Sequence, residues 1–116
     1  MIHATHASRH HWSRAAGAGA GPEHAARGEW QCSRVYAVLG HAEPALWHAR
    51  RCLEICEANG IGDWDLAFAY EALARASRVA DDHAATGHWL AKAREAGAQI
   101  AEDDDRVGLL SDLATI

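Results

Sequence analysis

The sequence predicts an all-α protein, a stack of two antiparallel helical hairpins with an N-terminal and a short C-terminal flanking helix. Residues 29–56 and 70–97 read as two copies of one unit, offset by 41 residues, in which apolar or small positions such as Cys32 and Leu73 coincide. Alanine is abundant and only two prolines occur in 116 residues, so helix propensity is high. No segment alternates apolar and polar residues with the period of two that is typical of a strand. The copies must stack, because one hairpin cannot bury its own apolar face.

Six helical segments can be placed along the chain from their breakers and caps. Residues 17–22, rich in glycine, end the first segment, and Gly40 ends the second. Pro44 lies in the first turn of the third, where its missing N–H leaves no hydrogen bond unmade, and Asp63 is expected to cap the fourth. An acidic run at 102–105 favours the start of the last helix through the helix dipole. The predicted segments are 3–15, 23–39, 43–58, 63–79, 84–100 and 103–114.

We expect these segments to form one domain over residues 1–116, because a chain of this length builds a single core. Its parts are a histidine-rich N-terminal helix (1–16), a Gly/Ala/Pro loop (17–22), a first hairpin (23–58), a second hairpin (63–100) and a C-terminal helix (103–114). The C-terminal helix is expected to bury Leu109, Leu110 and Leu113.

Charge and cysteine content narrow the class of protein. The formal net charge is −5 and the eleven basic residues are spread over several helices, which argues against nucleic acid as the partner. No apolar run approaches the roughly 18 residues of a membrane span. Three cysteines without a secretory signal indicate reduced thiols and a cytoplasmic location. An alternative is an organelle transit peptide, because the first 22 residues contain Arg9 and Arg14 but no acid.

Residues of similar type recur at the same spacings in both copies. Several of them are small, which allows two helices to approach each other closely. The matching positions are Tyr36 and Tyr70-x2-Leu73-Ala74 in the first helices, and Ala45-x3-Ala49-x2-Cys52 and Leu90-x2-Ala93 in the second helices. This pattern resembles the tetratricopeptide repeat, whose first helix reads Trp-x2-Leu-Gly-x2-Tyr. Glu29 and Ser77 depart from it, at a tryptophan and a tyrosine place, and the period is 41 rather than about 34 residues. The resemblance is therefore to a tetratricopeptide-like repeat.

Residues 28–71, with the stretches Trp30-Gln-Cys-Ser-Arg-Val-Tyr36 and Leu66-Ala-Phe-Ala-Tyr-Glu-Ala-Leu73, are also similar to a group of uncharacterised bacterial proteins with helical repeats. That similarity implies a bacterial protein. Members of the group carry a further helix before the histidine-rich one, so the similarity also implies that this chain is a shortened version of a longer domain.

The tetratricopeptide resemblance implies a concave, peptide-binding groove lined by the first helix of each hairpin. Carried over position by position, its lining residues are Arg27, Trp30, Arg34, Phe68, Glu71, Arg75 and Arg78. Helical spacing agrees in part, because the first three lie at i, i+3 and i+7, and the last three at i, i+4 and i+7. Arginine forks over an aromatic floor suit an extended acidic peptide or a terminal carboxylate. The alternative is that Glu71 and Arg75 form an ordinary surface ion pair and that Trp30 belongs to the core.

Two stripes of residues could hold a metal ion. His3, His6 and His10 share one helical face, and neutral imidazoles can bind zinc, nickel or copper. The alternative is a helix whose histidines face water. The second stripe consists of His48, Cys52 and Cys56 at i, i+4 and i+8.

Packing is the favoured interpretation of the cysteines, because a free cysteine behaves as a compact hydrophobe. Cys32 is likewise expected in the core, and no cofactor is predicted.

No motif for nucleophilic catalysis or phosphate binding occurs, so an enzyme is not predicted. The predicted function is a non-enzymatic protein-interaction adaptor with a protein or peptide partner. One alternative is a self-associating subunit of a homo-oligomer, because the array is short and leaves one end of the stack uncapped. A second alternative is a metal-binding protein that uses the N-terminal histidines.

Overall fold

The computed structural model describes residues 21–116, which form five α-helices and no strand. The helices are α1 (Pro22–Val38), α2 (Ala42–Ala58), α3 (Asp63–Val79), α4 (His83–Gly97) and α5 (Asp103–Leu113). The predicted all-α stack of hairpins is confirmed, and each helix begins within one residue of its predicted start. The predicted N-terminal helix over residues 3–15 lies outside the described residues.

The helices repeat with the period seen in the sequence. α1 begins at Pro22 and α3 at Asp63, and α2 begins at Ala42 and α4 at His83, so both pairs are offset by 41 positions. α5 begins at Asp103, 40 positions after the start of α3. The C-terminal helix therefore takes the place of a third first helix.

The stack has two layers. α1 packs on α2 and α3 on α4 within the hairpins, and α2 packs on α3 between them. Among the first helices, α3 packs on both α1 and α5, so the three form one layer with α3 in the middle. Close approach depends on the small residues predicted for it, because Ala45, Cys52, Ala74 and Ala93 are all buried.

Both hairpins turn in the same way, at equivalent positions. Gly40 (φ 77°) and Asp81 (φ 62°) adopt the left-handed conformation that ends a helix. The next N–H in each turn reaches back to a carbonyl five residues earlier, at 2.9 Å for His41 and 3.0 Å for Asp82. Asp82 then caps α4, because its carboxylate accepts the backbone N–H of Ala85 at 3.0 Å.

The prediction that Asp63 caps α3 is wrong. Gly62 precedes the helix and no side chain caps its first turn. The carboxylate of Asp63 instead accepts the backbone N–H of Ala101 at 3.2 Å. Asp63 thereby ties the start of α3 to the connection between α4 and α5.

The prediction that α5 buries Leu110 is also wrong. Leu109 and Leu113 lie in a core with Ala67, Ala93 and Ile100, whereas Leu110 is 51% exposed. Leu109 and Leu113 are one helical turn apart and share a face, while Leu110 is rotated by about 100° from Leu109. α5 packs on α3 and α4 through the face that carries Leu109 and Leu113, so Leu110 stays outside this contact.

Candidate functional site

Trp30, Glu71 and Asp112 lie side by side on the three first helices, each 41 residues from the next. The indole Nε1 of Trp30 donates to Glu71 Oε2 at 2.9 Å. Arg34 Nη1 lies 3.5 Å from Glu71 Oε1 and 3.9 Å from Asp112 Oδ2. A polar ladder therefore joins α1, α3 and α5 along one surface, which we call the first-helix face.

Glu71 is fully buried and its carboxylate is held mainly by Arg75. Arg75 Nε donates to Glu71 Oε1 at 2.8 Å, and its Nη2 donates to the carbonyl of Asp112 at 3.0 Å and to Thr115 Oγ1 at 2.8 Å. The side chain of Arg75 is only 15% exposed, so this pair lies inside the protein and not on its surface. A buried charge is tolerated only when it is paired and hydrogen-bonded, and Glu71 meets both conditions.

Arg27 forms a second charged cluster on the same face. Its Nε and Nη2 donate to the two carboxylate oxygens of the buried Asp65, at 3.0 and 3.2 Å, and its guanidinium lies 4.7 Å above the ring of Trp64. The hydrogen bond to Asp65 raises the pKa of Arg27 above its ordinary value. Trp30 and Trp64 each contact Phe68 edge to face at 5.7 Å. An acid of the chain itself, Asp65, therefore already neutralises Arg27.

Arg78 differs from the other six predicted groove residues. It is exposed and makes no side-chain hydrogen bond or ion pair with the residues that the structure describes. It lines a crevice at one end of the first-helix face, together with Val38, Val79 and Ile116. The structure thus brings six of the predicted residues into two connected clusters and leaves Arg78 at their edge.

Sequence reasoning missed three residues that partner the arginines, Asp65, Asp112 and Thr115. The 41-residue period, extended by one more step from Glu71, leads directly to Asp112. The period does not lead to Asp65 in the same way, because Arg27 in α1 and Asp65 in α3 are 38 positions apart.

Glu29 and His48 form a buried polar pair inside the first hairpin. Glu29 Oε2 lies 2.7 Å from His48 Nδ1, and the imidazole stacks on Tyr36 with 5.5 Å between ring centroids. The equivalent positions in the second hairpin are Tyr70 and Trp89, which stack at 5.9 Å. At equivalent positions, the two helices of each hairpin are therefore in contact, through a polar pair in the first hairpin and through two aromatic rings in the second.

The stripe of His48, Cys52 and Cys56 is buried. All three cysteines of the chain lie in the interior and form no disulfide, as the packing interpretation requires. The hydrogen bond between the thiols of Cys52 and Cys56, together with burial, raises the pKa of Cys52 above its ordinary value. Within residues 21–116, no three His, Cys, Asp or Glu side chains lie close enough together to hold a metal ion. The candidate ligands His3, His6 and His10 lie outside the described residues.

The fold and site define a class, an all-α stack of helical hairpins whose first helices share one surface. No described helix has both the length and the apolar character needed to cross a membrane. Neither a family model, a curated protein nor a solved structure matches this chain. The functional argument therefore rests on the geometry of the first-helix face.

Proposed function

We propose that this chain is a non-enzymatic protein-interaction adaptor that binds an extended acidic segment of a partner on its first-helix face. The observation that carries the proposal is the ladder of Trp30, Glu71 and Asp112. It gathers arginine and aromatic side chains from successive helices on one surface, as helical repeat proteins do when they bind peptides. The resemblance to tetratricopeptide repeats supports the same surface.

The chemistry of this face suits a carboxylate-bearing ligand. Trp30 and Phe68 are half-buried rings that offer apolar contact, and about a third of the Arg34 side chain is exposed. The contact between Arg34 and Asp112 spans 3.9 Å between two partly exposed groups, and such pairs contribute about 0–1 kcal/mol. A carboxylate of a partner can therefore take the place of Asp112 beside Arg34 at little cost.

The test compares two double variants of the full chain. Arg34→Gln with Arg78→Gln removes two charges from the first-helix face. Glutamine adds no acid beside Glu71, which keeps Arg75 and the Trp30 indole as donors. The matched control is Arg51→Gln with Arg94→Gln, which removes two exposed arginines from the second helices α2 and α4.

Each protein is immobilised, proteins captured from a cell lysate are quantified by mass spectrometry, and the strongest are purified and titrated directly. We expect the wild type and the control to bind such a partner with equal affinity. The variant Arg34→Gln with Arg78→Gln should bind it at least about tenfold more weakly. Equal binding by both variants would place the interface elsewhere. The adaptor proposal fails if no purified protein binds the wild type.

A second candidate function, a self-associating subunit, is favoured by the outer side of α5. Val107 is 63% exposed there, next to the exposed Leu110. Sedimentation at increasing concentration, with Val107→Asp as the comparison, tests this candidate. Association of the wild type that the variant lacks supports it, and a wild type that stays monomeric at its solubility limit contradicts it.

A further inference from the structure

The crevice at the end of the first-helix face has apolar walls and one available cation. Val38 and Val79, at equivalent positions of the two copies, line it together with Ile116. Val38 is 73% exposed, the largest exposed fraction among the big apolar side chains of the described residues. An aliphatic side chain in this crevice would remove apolar surface of Val38 from water, which is favourable.

The positive charge in the crevice belongs to Arg78. Arg75 also lines it, but Glu71 neutralises that guanidinium. The nearest acid along the chain, Asp81, lies 3.4 Å from His83. Asp112 is engaged with Arg34 through its carboxylate and with Arg75 through its carbonyl. Arg78 is therefore the one arginine of the predicted groove whose guanidinium no described acid occupies.

We propose that this crevice binds a peptide segment in which an aliphatic side chain adjoins a carboxylate. The aliphatic group packs between Val38, Val79 and Ile116, and the carboxylate accepts two hydrogen bonds from the planar fork of Arg78. This proposal rests on the proposed adaptor function and specifies the anchor of its ligand. The carboxylate is either an Asp or Glu side chain or the C-terminal group of the partner.

Arg78 has a structural role from which binding must be separated. It lies in the last turn of α3, where a cation stabilises the helix dipole. Arg94 also lies in the last turn of its helix, α4, and does not line the crevice. Arg94→Gln therefore controls for the loss of a cation from a helix end.

The experiment pans a random dodecapeptide library against the immobilised full chain. Enriched sequences are synthesised with free and with amidated C termini, and with each acid replaced by its amide. Affinities are measured by fluorescence anisotropy for the wild type, Arg78→Gln, Arg94→Gln and Val38→Thr.

We expect enriched peptides to pair an aliphatic residue with a carboxylate. Arg78→Gln should weaken their binding about tenfold or more, Val38→Thr several-fold, and Arg94→Gln not at all. Loss of binding on amidation identifies a terminal carboxylate, and loss on replacement of one acid by its amide identifies a side chain. Peptides that bind Arg78→Gln as tightly as the wild type overturn the crevice assignment and leave the adaptor function standing. A library that yields no binder contradicts the adaptor function itself.

Discussion

The substitution Arg75→Met tests whether Glu71 and Arg75 form a structural ion pair. Methionine keeps much of the side-chain volume but removes the donor that lies 2.8 Å from a fully buried carboxylate. Glu71 would keep the Trp30 indole and the longer contact with Arg34 at 3.5 Å. Removing one partner of a buried pair costs about 3–5 kcal/mol, because the other charge stays in the interior. That loss lowers the urea midpoint by roughly 2 M, taking a slope of about 2 kcal/mol per molar.

Urea unfolding followed by circular dichroism measures this cost. The double variant Glu71→Leu with Arg75→Met is the decisive comparison, because replacing both charges by apolar groups is often nearly neutral. We expect the double variant to recover most of the stability that Arg75→Met loses. The control Arg94→Met removes an exposed arginine and should change stability by no more than about 0.5 kcal/mol. A cost below about 1 kcal/mol for Arg75→Met would refute the reasoning and return the pair to the class of solvated surface ion pairs.

Three further predictions concern packing. A Cβ on Gly97 would lie 2.7 Å from Leu109 Cδ2, so Gly97→Ala should lower the melting temperature. A Cβ on Gly87, in the same helix, would meet nothing within 4 Å, so Gly87→Ala should raise the melting temperature. A shift of the same sign for both variants would contradict the contact between Gly97 and Leu109. Leu109→Ala should cost about 2–5 kcal/mol in chemical denaturation, while Leu110→Ala next to it should cost less than about 0.5, and equal costs would contradict the orientation of α5. The three buried cysteines should resist a thiol reagent near pH 8 until the protein unfolds, because burial blocks access of the reagent. Rapid labelling of the native protein would count against their burial.

The bounds of the helices could be predicted because residues that end or begin helices mark them in the sequence. Gly40 and Pro44 mark the first turn, and the equivalent turn at Asp81 follows from the period. The prediction that α4 extends to residue 100 is wrong, because the helix ends at Gly97 and the N–H groups of Gln99 and Ile100 make turn hydrogen bonds to carbonyls three residues earlier. Ile100 is buried, but in the turn that follows. An apolar residue in phase with a helix does not show that the helix continues.

The tetratricopeptide resemblance implies which residues lie on the first-helix face, and helical spacing agrees in part, but neither predicts how these residues pair. Spacing shows which side chains share one helix surface, whereas pairing depends on how far neighbouring helices are rotated about their axes. The resemblance implies that Arg27 and Arg34 line a groove for an acidic peptide, and it names no acid of the chain as their partner. The structure gives them Asp65 and Asp112 as partners, from helices whose registers the sequence does not state. Whether a partner binds this face stays a prediction.

The ladder of Trp30, Glu71 and Asp112 also limits how such an array can grow by gene duplication. Its three rungs differ chemically, so the hairpins are not interchangeable modules. A tandem copy of residues 63–103 would set a second Glu71 beside the first, in a place where the native neighbour on one side is an indole donor. The second Glu71 would bring its own Arg75 but would lack the indole donor, and an acid would lie beside it instead. A hairpin with a neutral hydrogen-bond donor at the position of Glu71 could be inserted without this penalty. The charge of the side chain at this one recurring position therefore influences which hairpins can extend the array.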